Sequence, residues 1–374
     1  MDKATRAQVK RHNRRLVMRA LFEEQADNRA ALAIETGLTK PTIGTIINEL
    51  IHSGYVVEDG FGNSTRGGGK RPTIIRFLPA ARQVIGVSIH TEEIIAGLAN
   101  LDGTIIARHH TRILPDDDIV YSLQCTINAL LTQNDVPVVA IGIGIPGIVD
   151  ENGVVEQSPI KGLDDVPLAA RVQKMFRIPC YVSNNTALVA RIQVKQSLHQ
   201  TTQLVTVSVG DVIEVGSTFG GDTYQQGGDI SQIPVPGTDS YIGALQWQTV
   251  KQDMASIAAK NPDSVLNSQK LSYLLLRRAV HLGEGEAKEL LNHLATLLAH
   301  SYRLIIGLMR PSEIVLTGSL SLSGDVLLDM VDKKLQEQLP VQTLSRVRLT
   351  LAQSDYLSMQ GAVVFALQEE LGIV

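Results

Sequence analysis

Between Thr39 and Val56 the chain reads TKPTIGTIINELIHSGYV, and Thr39, Lys40, Thr42, Thr45 and Asn48 place hydroxyl, ammonium and amide groups along one short segment. Small side chains of this kind let a helix approach the base edges of duplex DNA and hydrogen-bond to them. Further on stands Thr65-Arg66-Gly67-Gly68-Gly69-Lys70-Arg71-Pro72, where Arg66, Lys70 and Arg71 flank a glycine run. Cations on such a tip suit a narrow minor groove, in which the negative potential is focused. Other chemistry-bearing residues point nowhere so definite. His109 and His110 are neighbours on a strand pattern and face opposite ways, so with His90 they read as surface or packing residues. Cys125 and Cys180 are too few for a disulfide framework or a four-thiolate zinc site, which fits a reducing cytoplasm.

The elements that would carry the first group form a recognisable unit. Apolar residues Val17, Ala20 and Leu21 predict a helix between Asn13 and Gln25. Asn28 is a good cap for a second helix that stops near Gly37. A third is capped by Thr39, tolerates Pro41 in its first turn, and turns Ile43, Ile46, Ile47 and Leu50 inward until Gly54 ends it. Lys40, Thr42, Thr45 and Asn48 are left on the other face. Strands over Tyr55–Glu58 and Thr73–Phe77 then flank the glycine-rich tip, which makes the head a winged helix-turn-helix. Charge supports DNA over the alternative of a protein-binding module with a linker. Residues 1–76 hold 13 Lys+Arg against 8 Asp+Glu, whereas the remainder holds 21 against 30.

At 374 residues the chain suits two or three domains. It begins with no apolar signal core, and no run of apolar residues reaches bilayer length, so a cytoplasmic protein without membrane contact is expected. From Val84 two β-rich runs and a third after Asp102-Gly103 predict a three-stranded antiparallel meander, and a similar layout returns at Leu204. Between them lie a helix over Tyr121–Thr132, a buried strand over Val138–Gly144, a helix over Pro167–Phe176 and a short strand at Cys180–Val182. A repeated meander followed by alternating strands and helices implies two α/β lobes with a cleft between them. Residues 1–78 are assigned to the head, 79–193 to the first lobe, and 194–374 to the second lobe with dimerisation helices.

The body resembles the ROK family, of repressors, open reading frames and sugar kinases. The resemblance rests on AIGIGIPGIVDENGVV at Ala140–Val155, LDDVPLAARVQKMFRIPCYVSNNTALVA at Leu163–Ala190, the second meander, PSEIVLTGSLS at Pro311–Ser321 and the terminal QGAVVFALQEELG. It implies two actin-like, ribonuclease-H-like lobes, and with the head it matches the layout of family repressors for sugars such as N-acetylglucosamine or xylose. Measured against the family kinases, the chain departs at four places. The first phosphate turn reads Ser88-Ile89-His90-Thr91, with no acid and no glycine. The second reads Gly210-Asp211-Val212-Ile213-Glu214, placing a carboxylate where phosphate would sit. The general-base position holds Asn185, and an amide has no useful basicity near neutral pH. The zinc-binding run appears as Gly228-Asp229-Ile230-Ser231-Gln232, without histidine or a following cysteine.

No catalytic residue, cofactor or metal is therefore expected. The polar set left in the cleft, Ser158, Lys161, Asn184, Asn185, Asp229 and Gln232, suits a polyhydroxy ligand such as a sugar or sugar derivative. The competing reading is a vestigial pocket whose residues satisfy one another. The expectation is a ligand-controlled transcriptional regulator, most simply a repressor of carbohydrate-related genes. It would bind a double-stranded operator as a homodimer or homotetramer. The alternatives are a residual sugar kinase and a regulator whose body only oligomerises or binds a protein.

Overall fold

The structure, a computed structural model, describes residues 5–62, 71–114, 116–196, 203–219, 222–268, 270–352 and 356–373, without the side chains of 195–196, 219 and 222–227. The head comprises α1 (Arg6–Phe22), α2 (Arg29–Thr36), α3 (Lys40–His52), β1 (Val56–Phe61) and β2 (Thr73–Phe77). The first helix starts earlier than its apolar spacing suggested. Thr5 and Gln8 form a reciprocal capping box that satisfies the orphan N–H groups of its first turn, so a polar segment becomes helical. Asn28 caps α2 through two backbone N–H groups, and Gly37 at φ +68° ends it. Thr39 caps α3, whose Ile43, Ile46, Ile47 and Leu50 are buried as expected. β1 and β2 pair antiparallel from Val56–Phe77 outward, forming the hairpin of a wing.

The first lobe runs β3 (Gln83–Ile89), β4 (Glu93–Asn100), β5 (Ile105–Arg112), α4 (Ile119–Leu131), β6 (Val138–Ile145), the small hairpin β7 (Ile148–Val149) and β8 (Val155–Gln157), α5 (Leu168–Phe176) and β9 (Cys180–Asn184). Its sheet has the order β5-β4-β3-β6-β9, an antiparallel meander extended by two parallel strands. After α6 (Asn185–Gln196) the second lobe repeats the plan with β10 (Gln203–Val209), β11 (Ile213–Phe219), β12 (Asp222–Asp229), α7 (Trp247–Lys260), α8 (Tyr273–His281), α9 (Gly285–Met309), β13 (Glu313–Thr317), α10 (Asp325–Gln338), α11 (Val341–Leu344) and β14 (Arg348–Leu351). The order β12-β11-β10-β13-β14 matches the first sheet strand for strand. Trp247 packs against Tyr273 with ring centroids 5.0 Å apart, at the edge of the second lobe's core. Leu291, Leu294, Leu298 and Tyr302 bury one side of α9, while Leu308 on the other side is 84% exposed.

The last helix, α12 (Leu357–Leu371), belongs in space to the first lobe, although a boundary at 193 places it in the second. It lies on β3 and β6, because glycines there let its backbone come against the sheet. A Cβ on Gly142 would run into the carbonyl of Ala362, and one on Gly86 would stand 2.5 Å from the carbonyl of Met359. On its other side, Gly361 accommodates the backbone of Leu188 in α6.

Candidate functional site

The two sets of residues singled out by sequence sit in opposite environments. On α3, Thr39, Lys40, Thr45 and Asn48 are exposed and Thr42 is half-buried. Local bonds hold several of them: Thr39 and Thr42 hydroxyls are 2.9 Å apart, and Thr45 donates to the Pro41 carbonyl at 3.1 Å. Arg29 of α2 reaches both Asn48, at 3.1 Å, and Glu58 of β1, at 2.8 Å, so a single guanidinium ties α2, α3 and the wing together. Arg71 is exposed at the root of the wing, while Arg66 and Lys70 lie outside the described residues.

In the cleft the amides are buried. Asn184, only 1% exposed, ends β9 and caps α6, its carbonyl oxygen accepting from the N–H groups of Thr186 and Ala187. Its amide nitrogen donates to the Gly147 carbonyl at 2.7 Å and to Glu214 at 2.9 Å. Asn185 donates to the Ile89 carbonyl at 2.9 Å and accepts from Ser88 at 3.2 Å. Ser158 donates to the Pro146 carbonyl and accepts from the Ile160 N–H, closing its own loop. Asp229, exposed at the end of β12, accepts from the backbone and hydroxyl of Ser231. Gln232 is exposed. Lys161 lies apart, lining a hollow of about 300 Å³ with Asp116, Asp117, Asp118 and Arg171. Ser158 and Asn184 are thus gathered around the turn at Pro146-Gly147, Asn185 faces Ser88, and Lys161 is directed elsewhere.

The sequence placed Glu214 in a phosphate-type turn and outside the ligand set, yet it stands at the centre of these bonds. The β10–β11 turn closes at Val212, so Glu214 is a strand residue pointing inward, where its register partner across the ladder is Asp229. Its carboxylate accepts from the Gly147 N–H at 2.5 Å, from Asn184 at 2.9 Å and from the Thr186 hydroxyl at 3.0 Å. It joins the second lobe to the first. Burial raises its pKa to about 7, against the three donors that favour the ionised form, and Asp229 adds to the rise. The signal in the sequence was a lone carboxylate inside a strand-forming run.

A second polar cluster lies under the first phosphate turn. Ser88, fully buried, stands 2.6 Å from both His90 Nε2 and the Ser358 hydroxyl at the start of α12. Burial lowers the pKa of His90, partly offset by Glu93 and Asp211, so the ring favours its neutral form. Ser88 and His90 are two apart on an extended segment and share a face, which is the pattern that could have linked them. His110 instead pairs at the surface with Glu93 at 2.6 Å.

Ser88-Ile89-His90 carries side chains where a glycine-rich phosphate turn presents bare backbone, and Ser88 and His90 are bonded to each other there. Gly228–Gln232 does not offer the thiolate or imidazole donors that zinc requires. What the fold defines is a winged helix-turn-helix head on a two-lobed, sugar-kinase-like body. The ROK family model matches residues 84–228 and 250–369, and the chain belongs to that family.

Among its relatives, the xylose repressor of Bacillus spizizenii is 29% identical over 189 residues, a stretch covering 49% of each chain. The alignment therefore spans about half the length of that relative. The DNA-binding transcriptional repressor Mlc of Escherichia coli is 20% identical over 88% of this chain and 86% of its own. Among solved structures, a ROK family transcriptional regulator homologous to Mlc superposes with a TM-score of 0.78 at 20% identity, covering 97% of this chain and 98% of the other. A ROK family glucokinase from Streptomyces griseus covers 76% of this chain and 99% of its own at a TM-score of 0.66 and 20% identity. The larger coverage by the regulator includes the head. The chain is accordingly a homologue of ROK transcriptional repressors, with two lobes built as in the family's sugar kinases.

Proposed function

We propose that this protein is a cytoplasmic transcriptional repressor that reads duplex DNA with α3 and the wing, acts as a symmetric dimer or tetramer, and has no phosphotransferase activity. One observation carries the reading. An outward-facing recognition helix is mounted on a kinase-like body whose general-base position is an amide already hydrogen-bonded to Ser88 and Ile89. Two heads related by a two-fold axis would raise the effective concentration at paired half-sites. Lys40 and Arg71 are assigned to phosphate, and Thr42, Thr45 and Asn48 to base edges.

The body is assigned as a sensor of a small polyhydroxy ligand, controlling carbohydrate-related genes. The repressors named for xylose among the relatives make D-xylose the first probe. A ligand would have to take over donors that Glu214 now occupies, Gly147 N–H and the Asn184 amide, and so would act by releasing the join between the lobes. That same occupation favours a second reading, a regulator with no small ligand. Selection of duplexes from a random pool, followed by affinity measurement with D-xylose, D-glucose and N-acetylglucosamine, separates the two. Enriched half-sites whose affinity shifts with a sugar support the sensor. Enrichment with neither a shift nor thermal stabilisation by any sugar supports the unliganded regulator. ATP-dependent phosphorylation of any of these sugars would remove the whole proposal.

A further inference from the structure

We propose that Tyr181 and Glu370 are positioning residues for the DNA-reading head, clamping Arg11 of α1, and that α12 carries the state of the cleft to this clamp. The inference rests on the DNA-binding reading above and extends it to how the head is aimed.

The clamp is a junction of head, β9 and α12 made by three side chains and the Glu369 carbonyl. The Arg11 guanidinium donates to the Tyr181 hydroxyl at 2.8 Å and to the Glu369 carbonyl at 2.9 Å, with Glu370 at 3.5 Å. Tyr181 in turn donates to Glu370 at 2.7 Å. The ion pair is 53% and 28% exposed on its two sides, so it contributes little to holding the fold together. An apolar core does that, running from Val17, Met18 and Leu21 of α1 to Leu367, Leu371 and Ile373 at the chain's end. The directional bonds of the clamp, together with Arg19 of α1 donating to the Gly372 carbonyl at 3.1 Å, fix the angle at which α1 meets α12.

Both body elements in the clamp have their other ends in the cleft. β9 runs from Tyr181 to Asn184, which binds Glu214 and the Gly147 carbonyl. α12 runs from Ser358, bonded to Ser88 beside Asn185, to Glu370, about 18 Å further along the helix. Between these ends α12 is pressed onto glycine backbone at Gly86 and Gly142 and holds α6 through Gly361. Close-packed contacts of this kind leave it to shift as a rigid body with the strands beneath it. A rearrangement at Glu214 and Asn185 therefore has two stiff routes to the same three side chains.

The test uses the full-length protein. Wild type is first used to enrich duplexes carrying two half-sites at varied spacing. Tyr181→Phe and Glu370→Gln should retain the half-site sequence yet accept a wider range of spacings, with affinity for the best wild-type duplex reduced about tenfold. Ser358→Ala, at the cleft end of α12, should shift the same distribution in the same sense. A merely structural role would lower the melting temperature and leave the spacing preference sharp, and that result would overturn the clamp. Altered spacing in the clamp variants with none in Ser358→Ala would overturn the role of α12. If wild type enriches no sequence, the DNA reading itself fails. The clamp is then decided by amide exchange, with faster exchange confined to α1 in Tyr181→Phe supporting it and unchanged exchange refuting it.

Discussion

Helix α3 and the cleft were both marked by short polar side chains, but the structure holds them in opposite ways. On α3 they lie on the solvent side, Thr42 half-buried, and are held by bonds within the head, Thr39 to Thr42, Thr45 to the Pro41 carbonyl and Arg29 to Asn48. In the cleft, Asn184 and Asn185 have their donors and acceptors committed to Glu214, Ser88 and the backbone. Polar residues that face water are cheap to keep and can serve recognition. Polar residues inside must be satisfied within the protein, and removing one strands its partners. The cleft is thus held in its present arrangement by its own side chains, and any ligand entering it would have to compete with them.

Substitutions should separate the two regions by stability first and by DNA affinity second. Asn184→Ala carries the largest expected cost, about 3 kcal/mol in chemical denaturation, because it uncaps α6 and leaves Glu214 and the Gly147 carbonyl short of a donor. A loss below about 1 kcal/mol would mean the cleft network is not the constraint described here.

Next comes the pH dependence of Glu214. Its folded value of about 7 lies above the ordinary 4.5, so its contribution is fully present below pH 4.5 and is lost as pH rises through 7. The difference amounts to roughly 3 kcal/mol at most. Glu214→Gln keeps the shape and should flatten that part of the stability profile between pH 5 and 8. An unchanged slope would show that another group sets it.

On α3 the order reverses. Asn48→Ala should leave stability within about 0.5 kcal/mol but weaken binding to a selected duplex by about 1–3 kcal/mol. Lys40→Ala should weaken binding across sequences and lower the salt slope by about one. At the small end, breaking the exposed His110–Glu93 pair should change stability by less than about 0.5 kcal/mol.

Much of the fold could be read along the chain because its signals are local. The caps at Asn28 and Thr39, the inward stripe of α3, and the meander from Val84 repeated at Leu204 each arise from neighbours in sequence. Even there the first turns of α1 escaped, since its capping box lies in a polar segment with no apolar period to mark it. The candidate site was legible only in part. The amide at Asn185 marked a departure from the family kinases, but nothing along the chain showed that Asn184 and Glu214 bond to each other across the lobes.

The amino-acid sequence by itself determined which side chains of α3 face out and that residue 185 is an amide, because a helix period dictates which positions lie opposite the apolar stripe. Only the tertiary structure decided that Glu214 occupies the cleft's donors, that Lys161 points away from them, and that α12 returns to the first lobe to meet the head. Those outcomes depend on pairings between residues tens to hundreds of positions apart. Such pairings are set by sheet register and by where bare glycine backbone lets a helix come to rest.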